Sequence, residues 1–291
     1  MNTAESVTEH QVQQAINQAS TEKRLENVIT YNLIHGLIGP DSRNHILTQA
    51  SYVGVDLLQP HAVLAVEFAK GKEDEFKKFD NFNNQPFLHT PANPLRVMIV
   101  AVDSNESRAI KKVAVNHFSS LTSANQPEAS VGIGKVPKSL ADYKNSWYQA
   151  VAALKLGQIG SGPGNVTHLN DLGVMSLLFD HPQHDQLRAY QERVLSPVTT
   201  RSSLGKTTIP AAEMLETLDV YYRANENMDN CADLLSIHVN TLKYRLGIIY
   251  KLFQFDNVTR LKDHDVATEL SMAIMINKVL PVMDFLEEVC S

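Results

Sequence analysis

The chain has 291 residues, 43% of them hydrophobic and 20% charged, with a formal net charge of −6, the make-up of an ordinary globular protein of about two domains. Two cysteines, Cys231 and Cys290, exclude a disulfide framework, and no apolar run is read as approaching the roughly 18 residues that a membrane helix needs. Residues Met1 to Ser6 show no basic segment leading into an apolar one, so no signal peptide is expected and the cytoplasm is the expected location.

From about residue 5 to 53 the pattern is helical. Leu25, Val28, Ile29, Leu33 and Leu37 recur at three- and four-residue steps and draw one apolar stripe. Gly39-Pro40 stops that helix, and a second is predicted from about Asp41 to Tyr52. Two uses of the stripe stay open: it covers a neighbouring domain, or it pairs with a second copy across a two-fold axis. Residues 1–45 are taken as an N-terminal helical segment and 46–195 as one domain.

That domain alternates. Ala62 to Phe68 reads as a strand, and Lys70 to Asn81 as charged helix or loop. Leu95 to Val102 is a buried strand, followed by an amphipathic helix from Asn105 to Ser119. Ser130 to Gly134 is a short strand, Ser139 to Leu156 a helix, Val166 to Leu169 a last strand, and Asp171 to Phe179 a last helix. Strands interleaved with helices of this length predict an α/β sandwich.

Chemical signals in this stretch are weak. The glycine-rich run Gly157 to Gly164 follows a helix and holds Pro163, so it reads as a flexible connection rather than a phosphate cradle. Gly205-Lys-Thr-Thr208 has the tail of a phosphate-binding loop, but Thr200 stands where the first glycine is required. It falls within Ser196 to Pro210, read as an interdomain linker. His181 and His184 have no local carboxylate or cysteine to complete a metal site. No catalytic residue, metal or cofactor is expected.

Residues 211–291 carry the densest signal. Asp229 is expected to cap a short helix, Ala232 allows two helices close approach, and Ser236 takes a turn. Leu235, Ile237, Leu242 and Leu246 fall where a helix-turn-helix needs apolar contacts, with Cys231 as a small packed thiol. His238, Asn240, Thr241, Lys243, Tyr244 and Arg245 then form a polar face of donors suited to phosphates and base edges on a second helix running to about Phe253. Gly247 inside that helix costs about 1 kcal/mol against Ala and marks either close approach of another helix or tolerated slack.

The run Ala232-x-x-Leu235-x-Ile237-His238-x-Asn240-Thr241-Leu242-x-Tyr244-Arg245-Leu246 resembles the C-terminal helix-turn-helix of the bacterial purine-catabolism and sugar-diacid (PucR/CdaR-type) regulators, and the Fis-type motif more broadly. The likeness extends upstream through Glu216 to Tyr222 and downstream through Val266 to Ala273. The middle domain is similar to the same family's degenerate GGDEF-like domain at Val53 to Leu57, Val131 to Gly134, Ser146 to Leu154 and Asp171 to Leu178. The resemblance implies a multi-domain α+β/α chain: N-terminal helices, a central α/β sandwich resembling a degenerate nucleotide-cyclase domain, and an all-α helix-turn-helix domain. It also implies a homodimer on double-stranded DNA and a small-molecule effector, with no membrane.

Two features depart from that pattern. Val239 stands where the family often has a basic residue, and residues 211–291 hold seven Lys+Arg against thirteen Asp+Glu, which is the whole negative excess of the chain. Weak non-specific DNA binding is therefore expected, because counterion release needs cations. Cyclase chemistry is not expected, since the hairpin His89 to Pro94 has neither a glycine pair nor a carboxylate to hold metal. The alternative function is a small-molecule-sensing or scaffold protein that uses its C-terminal helices for protein contacts.

Overall fold

Short runs of Val, Ile, Leu and Ala, too brief for helices and buried on both faces, become the central strands of a sheet. The computed structural model describes residues 20–71, 87–92, 95–119, 129–179, 184–203 and 209–290. These belong to two compact units, 1–176 with 282–291 and 177–281.

In the first unit residues 20–35 are helical (α1) and α2 spans Arg43–Tyr52. Then come β1 (His61–Phe68), β2 (Phe87–Ala92), β3 (Leu95–Ala101), α3 (Ser107–His117), β4 (Ala129–Ile133), α4 (Tyr143–Ser161), β5 (Val166–His168) and α5 (Val174–Phe179). The sheet order is β2-β3-β1-β4-β5, antiparallel except for the β4–β5 pair. Side chains alternate across the pleat, so Ala62, Leu64 and Val66 of β1 join Met98, Val131 and Ile133 in one core with Ile110, Ala114 and Phe118.

The other face receives α4 at unusually short range. A Cβ on Gly132 would lie 2.0 Å from the Ala150 carbonyl oxygen, and one on Gly134 would lie 2.1 Å from that of Ser146. A Cβ on Gly157 of the helix would lie 2.2 Å from Thr167 Oγ1 on β5. These three hydrogens let the helix backbone rest directly on the strands. Lys155 Nζ and Gln158 Nε2 then each donate to the Glu67 carboxylate of β1 at 2.7 Å.

Several expectations change here. The Gly157 to Gly164 run is not simply a flexible connection, because α4 continues to Ser161 and Gly157 has a packing duty. Strand β2 was not foreseen; it is the sheet edge, where Pro91 removes no hydrogen bond from a central ladder. The α1 stripe is rotated, with Ile29, Leu33 and Ile34 buried while Val28 and Leu37 stay about half exposed. Residues 72–81 of the charged segment, 93–94 of the hairpin, His181 and 205–208 lie outside the described residues.

The second unit is helical: α6 (His184–Ser203), α7 (Ala211–Arg223), α8 (Met228–Leu234), α9 (Val239–Leu252) and α10 (His264–Cys290), whose end from Val282 is assigned to the first unit. Its core joins Leu195, Val198, Met214, Leu218, Tyr221, Leu242, Leu246 and Ile249 with Leu270 and Ile274. The expected linker at 196–210 starts inside α6, whose Val194, Leu195 and Val198 are core residues. α10 also corrects the reading of apolar runs: over His264–Glu288 it has the length and the mean hydropathy of 1.4 that a membrane span would show. Its Leu270, Ala273 and Ile274 are buried in the helical core, which accounts for that apolarity.

Candidate nucleic-acid interface

α8 and α9 meet through a tight turn. Asn227, not Asp229, caps α8, its side-chain oxygen accepting from Asn230 N at 2.9 Å; Asp229 lies in the first turn beside the positive end of the helix. Ser236 takes a left-handed φ of 53°, and Ile237 N donates back to the Ala232 carbonyl at 3.0 Å. A short polar side chain tolerates that conformation better than a branched one. Cys231 and Ala232 are buried where the two helices cross, and burial pushes the Cys231 thiol up, leaving it a packed and unreactive group.

α9 runs Val239–Leu252, within a residue of the expected span. Leu242, Leu246, Ile249 and Leu252 are its buried line. Opposite them stand Asn240, Tyr244, Gly247 and Lys251, one turn apart from each other. Asn240, Thr241, Lys243 and Tyr244 are all exposed, so four of the six expected contact residues do share an accessible face.

The other two have prior engagements. His238 is exposed and caps α9, its Nδ1 accepting from Asn240 N at 3.1 Å. With Nδ1 accepting from the backbone, Nε2 is the nitrogen left to donate outward. Arg245 turns toward α7: Nη2 meets Glu213 Oε2 at 2.8 Å, Nη1 donates to Thr217 Oγ1 at 3.4 Å, and the side chain is only 17% exposed. Glu213 and Thr217 lie about thirty residues upstream, and no local pattern in the sequence announces the pairing.

The acidity of residues 211–291 is also resolved residue by residue. Arg245 pairs with Glu213, Arg223 and Lys278 with Asp219, Lys262 with Glu226, and Arg260 with Asp263. Of the seven Lys and Arg in residues 211–291, Lys243 and Lys251 are the two left without a carboxylate, and both lie on α9. α9 itself contains no Asp or Glu. The negative excess is thus kept off α9. Gly247 has nothing within 4 Å of an added Cβ, so no helix among the described residues approaches it at that point.

Comparison with known proteins follows the same division. Residues 214–276 match the PucR C-terminal helix-turn-helix domain, and residues 38–156 match the GGDEF-like domain. The proline-responsive transcriptional activator PutR of Bacillus subtilis (strain 168) is 25% identical over 180 residues, 61% of this chain and 41% of that protein. The DNA-binding transcriptional activator AdeR of the same strain is 23% identical over 184 residues, 58% of this chain and 42% of that protein. The chain therefore spans about two fifths of the length of these relatives. The solved regulator of polyketide synthase expression from Bifidobacterium adolescentis aligns with 87% of this chain and 97% of its own at 14% identity and a TM-score of 0.39, too low to equate the two folds.

Proposed function

A chain that joins a GGDEF-like domain to a PucR C-terminal helix-turn-helix domain belongs to the PucR/CdaR type, and from that premise we propose that it is a sequence-specific DNA-binding transcription regulator. It acts in the cytoplasm as a homodimer and responds to a small molecule. The observation that carries this reading is the outward face of α9: exposed Asn240, Thr241, Lys243 and Tyr244, no carboxylate on the helix, and the unpaired cations Lys243 and Lys251.

In the mechanism that follows, α9 enters the major groove. Asn240 and Thr241, at its N-terminal end, reach base edges, since an amide can bond adenine at two positions at once. Lys243 and Lys251 neutralise phosphates, Tyr244 packs or donates along the groove wall, and His238 holds the helix start. Arg245 acts through Glu213 and Thr217 as a strut that fixes the angle of α9 on α7. A helix of 14 residues is about 21 Å long and reads few base pairs, which argues for two copies on half-sites about 34 Å apart.

Catalysis forms no part of the proposal. Two-metal phosphoryl transfer needs several carboxylates around hard cations. Strand β2 delivers His89, Thr90, Pro91 and Ala92 toward its turn, none of them acidic. Among the described residues, no group of three His, Cys, Asp or Glu is placed to hold a metal.

Selection of bound sequences from random duplex DNA tests the reading, with Asn240→Ala/Lys243→Ala as control. An inverted repeat enriched by the native protein and lost with the control is the expected result. Recovery of no common sequence, or of the same sequence by both proteins, would sink it. Arg245→Ala is an unsuitable control, because it disturbs the α7–α9 contact as well.

A further inference from the structure

We propose that the first unit holds a binding site for a small organic anion at the sheet end opposite the β2–β3 turn. A cavity of about 580 Å³ opens there, within the range of roughly 300–1,000 Å³ usual for small-molecule sites. Its walls come from separate parts of the chain: the first turn of α2, the loop leading into β1, the segment after β3, the segment after β4, and the start of α4. As the place where an effector acts, this site rests on the regulator reading; as a binding site it does not.

Charge selects the ligand. Arg43, Lys135 and Lys138 line the cavity, and no Asp or Glu does, in a chain whose net charge is −6. Two of the carboxylates next to the lining in sequence are engaged by the loops themselves. Asp142 accepts from Lys138 N at 3.1 Å and Ser139 N at 2.8 Å, which holds the segment after β4 in place. Asp56 accepts from Leu58 N at 3.0 Å and shapes the loop before β1. Each carboxylate thus builds a wall, while Arg43 and Lys138 stay exposed at the rim.

The remaining lining sets the ligand's other end. Tyr143, 3% exposed, brings a phenol to the cavity, and burial raises its pKa so that it stays a neutral donor. Leu58 is 72% exposed at the same cavity and offers apolar surface. A cationic rim with a buried hydroxyl and apolar wall suits an organic acid or phosphate monoester more than a bare inorganic ion. Arg43 from a helix and Lys138 from the loop after β4 also give enough donors for one doubly charged group.

Isothermal titration of the full chain, without DNA, tests the site with adipate, phenyl phosphate and inorganic phosphate as probes. At least one organic anion should bind, more tightly than inorganic phosphate, with affinity falling as sodium chloride is raised. Arg43→Ala/Lys138→Ala should weaken it at least tenfold, and because both side chains are exposed the variant should melt as the native protein does. Leu58→Asp supplies a second variant at an exposed position, placing a carboxylate at the rim, and should weaken binding likewise. Absence of heat with all three probes, equal binding of a cationic probe such as putrescine, or unchanged affinity in both variants overturns the proposal. Because DNA is absent throughout, failure here leaves the operator selection untouched, and failure there leaves this result standing.

Discussion

Arg245 and Lys243 sit two positions apart on α9 and have opposite duties. Lys243 is exposed and reaches nothing acidic, whereas Arg245 is held by Glu213 and Thr217. Lys243→Ala should leave the melting temperature unchanged and lower the salt slope of DNA binding by about one. Arg245→Ala should lower stability by about 1 kcal/mol, a modest figure because Glu213 is 45% exposed, and weaken binding evenly across operators. Thermal melts and salt-dependent titrations separate the two. A second residue-scale expectation concerns His89. Burial, then the nearby Lys23 and Arg96, hold its pKa down at about 3, so it is neutral in the fold. Once unfolded it takes up a proton below about pH 6.5. Its contribution to stability is therefore complete above that pH and is lost as pH falls toward 3. His89→Gln should flatten the decline in stability between pH 7 and pH 4, read by urea unfolding at each pH.

At the scale of elements, two glycines invite the same substitution with opposite results. A methyl group at Gly132 of β4 strikes the backbone of α4, so Gly132→Ala should destabilise by about 1–3 kcal/mol or more. A methyl at Gly247 of α9 meets nothing, and Gly247→Ala should stabilise by about 1 kcal/mol. Urea midpoints of the two variants check both signs. Elements were legible in the sequence where their determinants are local. The turn at Ser236, the buried Leu242 and Leu246 and the span of α9 all follow from some twenty consecutive residues. β2 was missed because Phe87-Leu-His-Thr-Pro-Ala holds a proline and polar residues that only an edge strand accepts. α6 was missed in part because Pro197 and its Ser and Thr residues resemble a linker, although Leu187, Val194, Leu195 and Val198 keep helical spacing. The Arg245 strut and the anion cavity need residues far apart in the chain to meet, and no local pattern encodes that.

For the whole molecule, two units with separate cores predict two unfolding events. Scanning calorimetry should resolve two transitions. The histidines whose pKa burial lowers, His35, His61, His89, His117 and His168, all lie in the first unit. By the same sign argument, the transition of that unit should move down on acidification from pH 7 to pH 5. A single transition insensitive to pH would contradict both statements. The three glycine contacts of α4 carry one last consequence. With Gly132 and Gly134 beneath it and its own Gly157 against Thr167, the helix can neither rotate nor slide on β4 and β5 without colliding. The amides of α4 should accordingly be among the slowest in the protein to exchange with deuterium, opening only when the sheet itself comes apart.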